Sequence, residues 1–125
     1  MTTEFYVEAP FNLLDIDIAQ DADWMDPFTI VEGDGTTPLD LTGSLLELYI
    51  RPRFAHGTLL KKLAVGSGIV IEDASQGMVY FSVDRAVIQT DLPVGEWQQF
   101  MVLTEGTVQT ELWRGQFRVH PGNWS

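Results

Sequence analysis

The sequence predicts an all-β protein, an antiparallel β-sandwich of seven to eight strands. Three observations carry this. Apolar residues recur with period two rather than with the helical period, Gly-containing turns punctuate the alternating runs, and 45% hydrophobic residues in a chain of 125 supply one sizeable core.

The elements follow in order. Residues 1–10 precede the first alternating run, end at Pro10 and carry the apolar patch Phe5, Tyr6 and Val7, so they are read as an N-terminal arm or extension, either packed back on its own domain or donated to a neighbour. Residues 11–125 are expected to form a single domain, since no repeat, low-complexity tract or linker divides them. In the first strand Leu14, Ile16 and Ile18 point one way and Asp15 and Asp17 the other. Residues 27–32 form the next. Leu46, Leu48 and Ile50 then alternate with Glu47, Tyr49 and Arg51, and Val79, Phe81 and Val83 with Met78, Tyr80 and Ser82. Residues 59–63, 69–72, 96–104 and 108–119 complete the set. Gly33-Asp34-Gly35, Gly57, Gly66-Ser67-Gly68, Ser75-Gln76-Gly77 and Glu105-Gly106 supply the turns. One helical turn is expected at 84–89, with Asp84 capping its first amides and Leu92-Pro93 ending it.

Composition excludes several classes. Eighteen acidic against seven basic residues give a net charge of −11, which disfavours nucleic acid and anionic membranes as partners, because both require clustered Lys and Arg. No apolar run reaches the length of a membrane span and no export signal is visible, so a soluble protein is expected. The absence of Cys removes disulfides, thiol catalysis and cysteine zinc sites. The charge is lopsided: residues 1–50 hold eleven carboxylates and no Lys or Arg, while residues 51–125 hold seven of each sign.

Catalytic constellations are lacking in the sequence. The two histidines, His56 and His120, stand apart from any serine elbow, Ser67 sits in a flexible glycine turn, and no glycine loop opens a helix to cradle phosphate. No enzyme, cofactor or metal ligand is therefore assigned. The aspartates Asp15, Asp17, Asp21, Asp23 and Asp26 lack the spacing of a calcium loop and are read first as a solvated face able to select a basic neighbour, with an irregular inter-strand cation site as the alternative. Trp97 and Trp113 alternate within strands and are expected in the core. Trp24, flanked by acids, and Trp124, beside the last residue, are the candidate aromatic anchors of an interface, together with the arm.

Several fragments taken in sequence resemble a known family. Gln20, Asp21 and Trp24 close the early strand, Pro38-Leu39-Asp40-Leu41-Thr42-Gly43 leads to a strand ending Ile50-Arg51, GIVIED precedes QGMVYFSV, and Leu92-Pro93-Val94-Gly95 comes before the closing run from Arg114-Gly115-Gln116-Phe117 to Val119-His120-Pro121. This order resembles the small immunoglobulin-like proteins of bacteriophage and prophage tail modules over residues 12–122. The resemblance implies an immunoglobulin-like sandwich and a non-enzymatic virion protein of the tail or baseplate. Such a subunit would be made in the host cytoplasm and would dock onto other virion proteins or copies of itself. Head decoration and recognition of a host-surface glycan or receptor are the alternatives. Trp97 stands where the family has a tyrosine whose hydroxyl bonds the upstream backbone, so this corner is expected to be held by packing.

Overall fold

Alternation places the core as the sequence indicates. Leu46, Leu48 and Ile50 are fully buried, Ile16, Ile18, Val79, Phe81 and Val83 nearly so, and Asp15 and Asp17 face outward. The structure is a computed structural model and describes residues 6–8, 12–32, 36–52 and 59–121. Its strands are β1 (Tyr6–Glu8), β2 (Asn12–Leu13), β3 (Ile16–Ala19), β4 (Pro27–Val31), β5 (Leu45–Pro52), β6 (Lys61–Val65), β7 (Gly68–Asp73), β8 (Met78–Phe81), β9 (Gly95–Glu105) and β10 (Val108–His120). Helix α1 (Arg85–Asp91) lies between β8 and β9, and a 3₁₀ turn (Ala74–Gln76) joins β7 to β8.

The strands form one continuous sheet in the order β1-β4-β8-β7-β6-β5-β9-β10-β2, with β3 following β2 along β10. It is all-β, as expected, but the two layers of the sandwich are the halves of one curled sheet. They meet where Phe28 of β4 stands edge-on to Trp113 of β10 with centroids 5.5 Å apart. Antiparallel ladders carry the centre, β5–β9 and β9–β10 above all. Parallel pairing appears at the N-terminal strands, β1 with β4 and both β2 and β3 with β10, and in a two-residue contact of β6 with β7. The strands beyond the expected eight are β1 and β2. The backbone of Tyr6–Glu8 thus pairs with Thr29–Val31 of its own chain.

The seat for β2 and β3 is built around Gly115 and Gln99. The chain breaks from β2 to β3 at Leu14 and Asp15; Leu14 N–H donates to the Arg114 carbonyl at 2.9 Å, and the Asp15 carboxylate accepts the Gln116 N–H at 2.9 Å. Opposite the break stands Gly115, where a Cβ would run into the Leu14 carbonyl oxygen and press on the Asp15 carboxylate. Beneath it lies Gln99, only 1% exposed. Its Nε2 donates to the Leu14 carbonyl at 2.6 Å, and its Oε1 accepts the Trp113 indole N–H at 2.7 Å. A buried carboxamide is stable because both its ends are satisfied. A bulge on β10 at Leu112 then turns Leu112 and Trp113 inward together, where strict alternation would expose one of them.

Gly115→Ala is expected to destabilise the domain by roughly 1–3 kcal/mol through overpacking against β2–β3. Urea unfolding checks this, and an unchanged midpoint would show that the strand is not held so closely.

Candidate interaction surfaces

The acidic stretch divides into engaged and free carboxylates. Asp15 and Asp17 share Arg118, whose Nη2 lies 3.5 Å from Asp15 and Nη1 3.3 Å from Asp17, while His120 Nε2 stands 2.9 Å from Asp17. Glu96 approaches the same guanidinium at 3.9 Å. Three carboxylates at this end of β3 thus converge on a single guanidinium. Asp23 accepts the backbone N–H of Arg85 at 2.8 Å and so caps α1 from a distant connection. Asp84, the cap expected from sequence, makes no side-chain capping bond. Asp26 accepts the Trp24 indole N–H at 2.9 Å. Asp21 is exposed and makes no hydrogen bond or ion pair with the other described residues.

Trp24 is corrected from exposed anchor to core residue. It is 3% exposed, stacked on Phe81 at 4.4 Å between centroids and 5.5 Å from Phe117. Its backbone bridges Val83 in both directions. Its acidic neighbours in sequence suggested the surface, but the chain dips here, and Asp26 satisfies the one polar atom of the ring. Met25, beside it, is 56% exposed. Of the other candidate interface residues, Phe5 and Trp124 lie outside the described residues, and Tyr6 and Val7 are placed by the backbone pairing of β1.

Alternation on β5, β9 and β10 presents an outer face that the sequence reading did not single out. Register sets Arg51 beside Gln98 and Gln98 beside Gln116 in one row, and Tyr49 beside Phe100 and Phe100 beside Arg114 in the next. Tyr49 and Phe100 stack at 5.0 Å, and the Arg51 guanidinium carbon lies 5.2 Å from the Phe100 centroid. The face is a shallow concavity of about 920 Å³ bordered by Leu13, which is 79% exposed. Arg114 is held by Glu111 at 2.8 Å, a pairing that raises the guanidinium pKa further. The outward set on β5 was legible, whereas the phase of β9 was hidden because its inward residue is a glutamine.

Two further features recur in the described residues. Leu39 and Leu41 turn inward in the Pro38–Gly43 phrase, where the Asp40 carboxylate is held below its ordinary pKa by the Thr42 hydroxyl first and by the Thr42 N–H, which it accepts at 2.9 Å, second. The Trp97 corner is bonded as well as packed: the half-buried indole donates to the Pro93 carbonyl at 3.1 Å. Among the described residues no group of three or more His, Cys, Asp or Glu is arranged to hold a metal ion, and no helix is long and apolar enough to cross a membrane.

No protein-family model matches the sequence, and no curated protein matches it. Among solved structures the fold is similar to the N-terminal domain of phage TP901-1 ORF48, with a TM-score of 0.52 at 16% identity, over 96% of this chain and 99% of that one. The likeness extends over both chains almost end to end. It is a likeness of fold.

Asp23→Ala is expected to lower stability by about 1 kcal/mol through loss of the helix cap, and Asp84→Ala by less than about 0.5 kcal/mol. Paired thermal or urea melts of the two variants check the assignment, and the reverse order would overturn it.

Proposed function

We propose that this chain is a non-enzymatic structural subunit of a bacteriophage virion, associated with the tail or baseplate, that works by docking onto other virion proteins. The observation that carries the reading is the shared fold with a domain of a phage protein over nearly the full length of both chains. The tail-module resemblance of the sequence supports the same assignment, and a fold alone does not fix function. The shape of the surface supports docking: the outer face of β5, β9 and β10 mixes arginines, amides and apolar side chains, the composition of a protein interface. Recognition of a host glycan loses its proposed platform because Trp24 is buried. The ring faces of Tyr49 and Phe100 do not replace it, since each covers the other and Arg51 lies over Phe100.

The test is the composition of particles. Phage particles produced by the genome that encodes this chain, purified on a density gradient and washed in high salt, should retain it in a fixed ratio to the other tail proteins. Deleting it should arrest tail assembly or leave tails lacking a defined component. Its absence from washed particles, with normal tails after deletion, would contradict the proposal.

A further inference from the structure

Where the curled sheet comes round on itself, the edge of β3 faces the start of β4, and a narrow cleft lies between them. Its floor is apolar: Ile16, Phe28, Phe81 and Trp113 line a cavity of about 320 Å³. Its mouth is acidic, with Asp15 and Asp17 on the β3 side and Asp26 on the β4 side. A smaller cavity of about 180 Å³ shares Asp17 and Asp26 and carries the cleft on along Ile18 and Ala19. Close packing leaves few voids larger than a water molecule inside a domain, whereas this volume, with an aromatic lining and a few convergent polar groups, has the character of a binding pocket.

The backbone beside the cleft is open as well. Among the described residues β3 pairs with β10 alone, and β1 pairs with β4 only from Thr29 onward. Gln20 N–H donates to the His120 carbonyl. Residues two apart in a strand face the same neighbour, so the N–H and C=O of Asp17 and Ala19 point away from β10, toward the cleft. The charge at the mouth stays negative when its neighbours are counted. Asp15, Asp17 and Glu96 share the guanidinium of Arg118, His120 stands at Asp17, and the partner of Asp26 is the neutral Trp24 indole. Four carboxylates thus face one guanidinium and one imidazole. A segment laid along β3 would bond its free edge, turning one side chain onto the aromatic floor and its two sequence neighbours outward to the carboxylates. Acidic side chains guard an edge against indiscriminate pairing, and here they also select for basic partners. A second copy of this chain, at net charge −11, is repelled from such a mouth.

We propose that the cleft between β3 and β4 receives an extended segment of a different protein, in which an apolar side chain seats on Phe28, Phe81 and Trp113 and the basic residues on either side of it meet Asp15, Asp17 and Asp26. The inference rests on the docking function proposed above and gives the chemistry of the partner: a strand of the pattern basic, apolar, basic. Backbone bonds along β3 supply affinity, the apolar side chain fixes the register, and the carboxylates reject acidic segments.

The experiment is a titration of the full chain, labelled with ¹⁵N and followed by NMR, with three capped synthetic peptides: Thr-Lys-Leu-Lys-Thr, Thr-Lys-Asn-Lys-Thr and Thr-Glu-Leu-Glu-Thr. The first should bind, moving the amides of Asp17 and Ala19 and the Trp113 indole proton, with contacts from its leucine methyls to the rings of Phe28 and Phe81. The asparagine peptide should bind at least about tenfold more weakly, and the glutamate peptide not at all. Asp26→Asn keeps an acceptor for the Trp24 indole while removing the charge, and should weaken binding of the first peptide about threefold or more. Asp21→Asn, exposed and outside the cleft, should leave it unchanged, and circular dichroism melts check that both variants fold. No binding of the first peptide at millimolar concentration overturns the inference. So does equal binding of the asparagine peptide, or an equal loss in Asp21→Asn, since either is the pattern of diffuse charge attraction. Binding that emerges only in a variant lacking residues 1–5 overturns it too, because the cleft would then belong to the chain's own N-terminal segment. A chain that ignores the peptides yet is retained in washed particles sinks this inference and leaves the docking function standing.

Discussion

The carboxamide of Gln99 fixes how the N-terminal segment meets the rest of the sheet. It is buried, and each of its ends has one partner: the Trp113 indole on one side, the Leu14 carbonyl on the other. If β2 and β3 left β10, the donor of Gln99 would lose its acceptor in an apolar core, a cost of about 1–3 kcal/mol beyond the lost ladder bonds. The segment is therefore coupled to the core through a polar group, and Gly115 makes the approach sterically possible.

From this seat the remaining architecture follows. With β3 along β10 and β1 along β4, residues 6–19 reach both ends of the strand order, so the N-terminal segment pairs with each half of the curled sheet. Asp15 and Asp17 are thereby placed against Arg118 and His120, which turns what reads as a free acidic face into an ion-pair network at the rim of the arginine-bearing concavity. The same path carries the chain into the β3–β4 connection, where the Trp24 ring enters the core and Asp23 reaches α1. What these internal pairings leave uncovered is the outer face of β5, β9 and β10 and the exposed turn at Asp21.

The class of the fold was legible because period-two alternation is a direct consequence of strand geometry. On β5 it named the buried and exposed sets correctly, residue by residue. What escaped the sequence were features decided by distant partners. Trp24 looked exposed because its neighbours are acidic, yet a single hydrogen bond to Asp26 makes its burial favourable. Gln99 carries no local sign that Trp113 and Leu14 would satisfy it in the core. Asp23 displaced Asp84 as helix cap across 62 residues of sequence, which no local pattern encodes. The bulge at Leu112 broke the alternation on β10. The curl of one sheet in place of two separate layers depends on the brief β6–β7 contact, invisible to periodicity.

The most direct test of this account is native-state hydrogen exchange resolved to single amides by NMR, comparing Leu14, Gln20 and the β3 amides bonded to β10 with the amides of the β9–β10 ladder. Coupling through Gln99 predicts that the two sets open with closely similar free energies, and that the Trp113 indole proton is protected with them. Near-random-coil exchange across β2 and β3 while β9 and β10 stay protected would contradict it, and would mean that the N-terminal segment is an independent appendage.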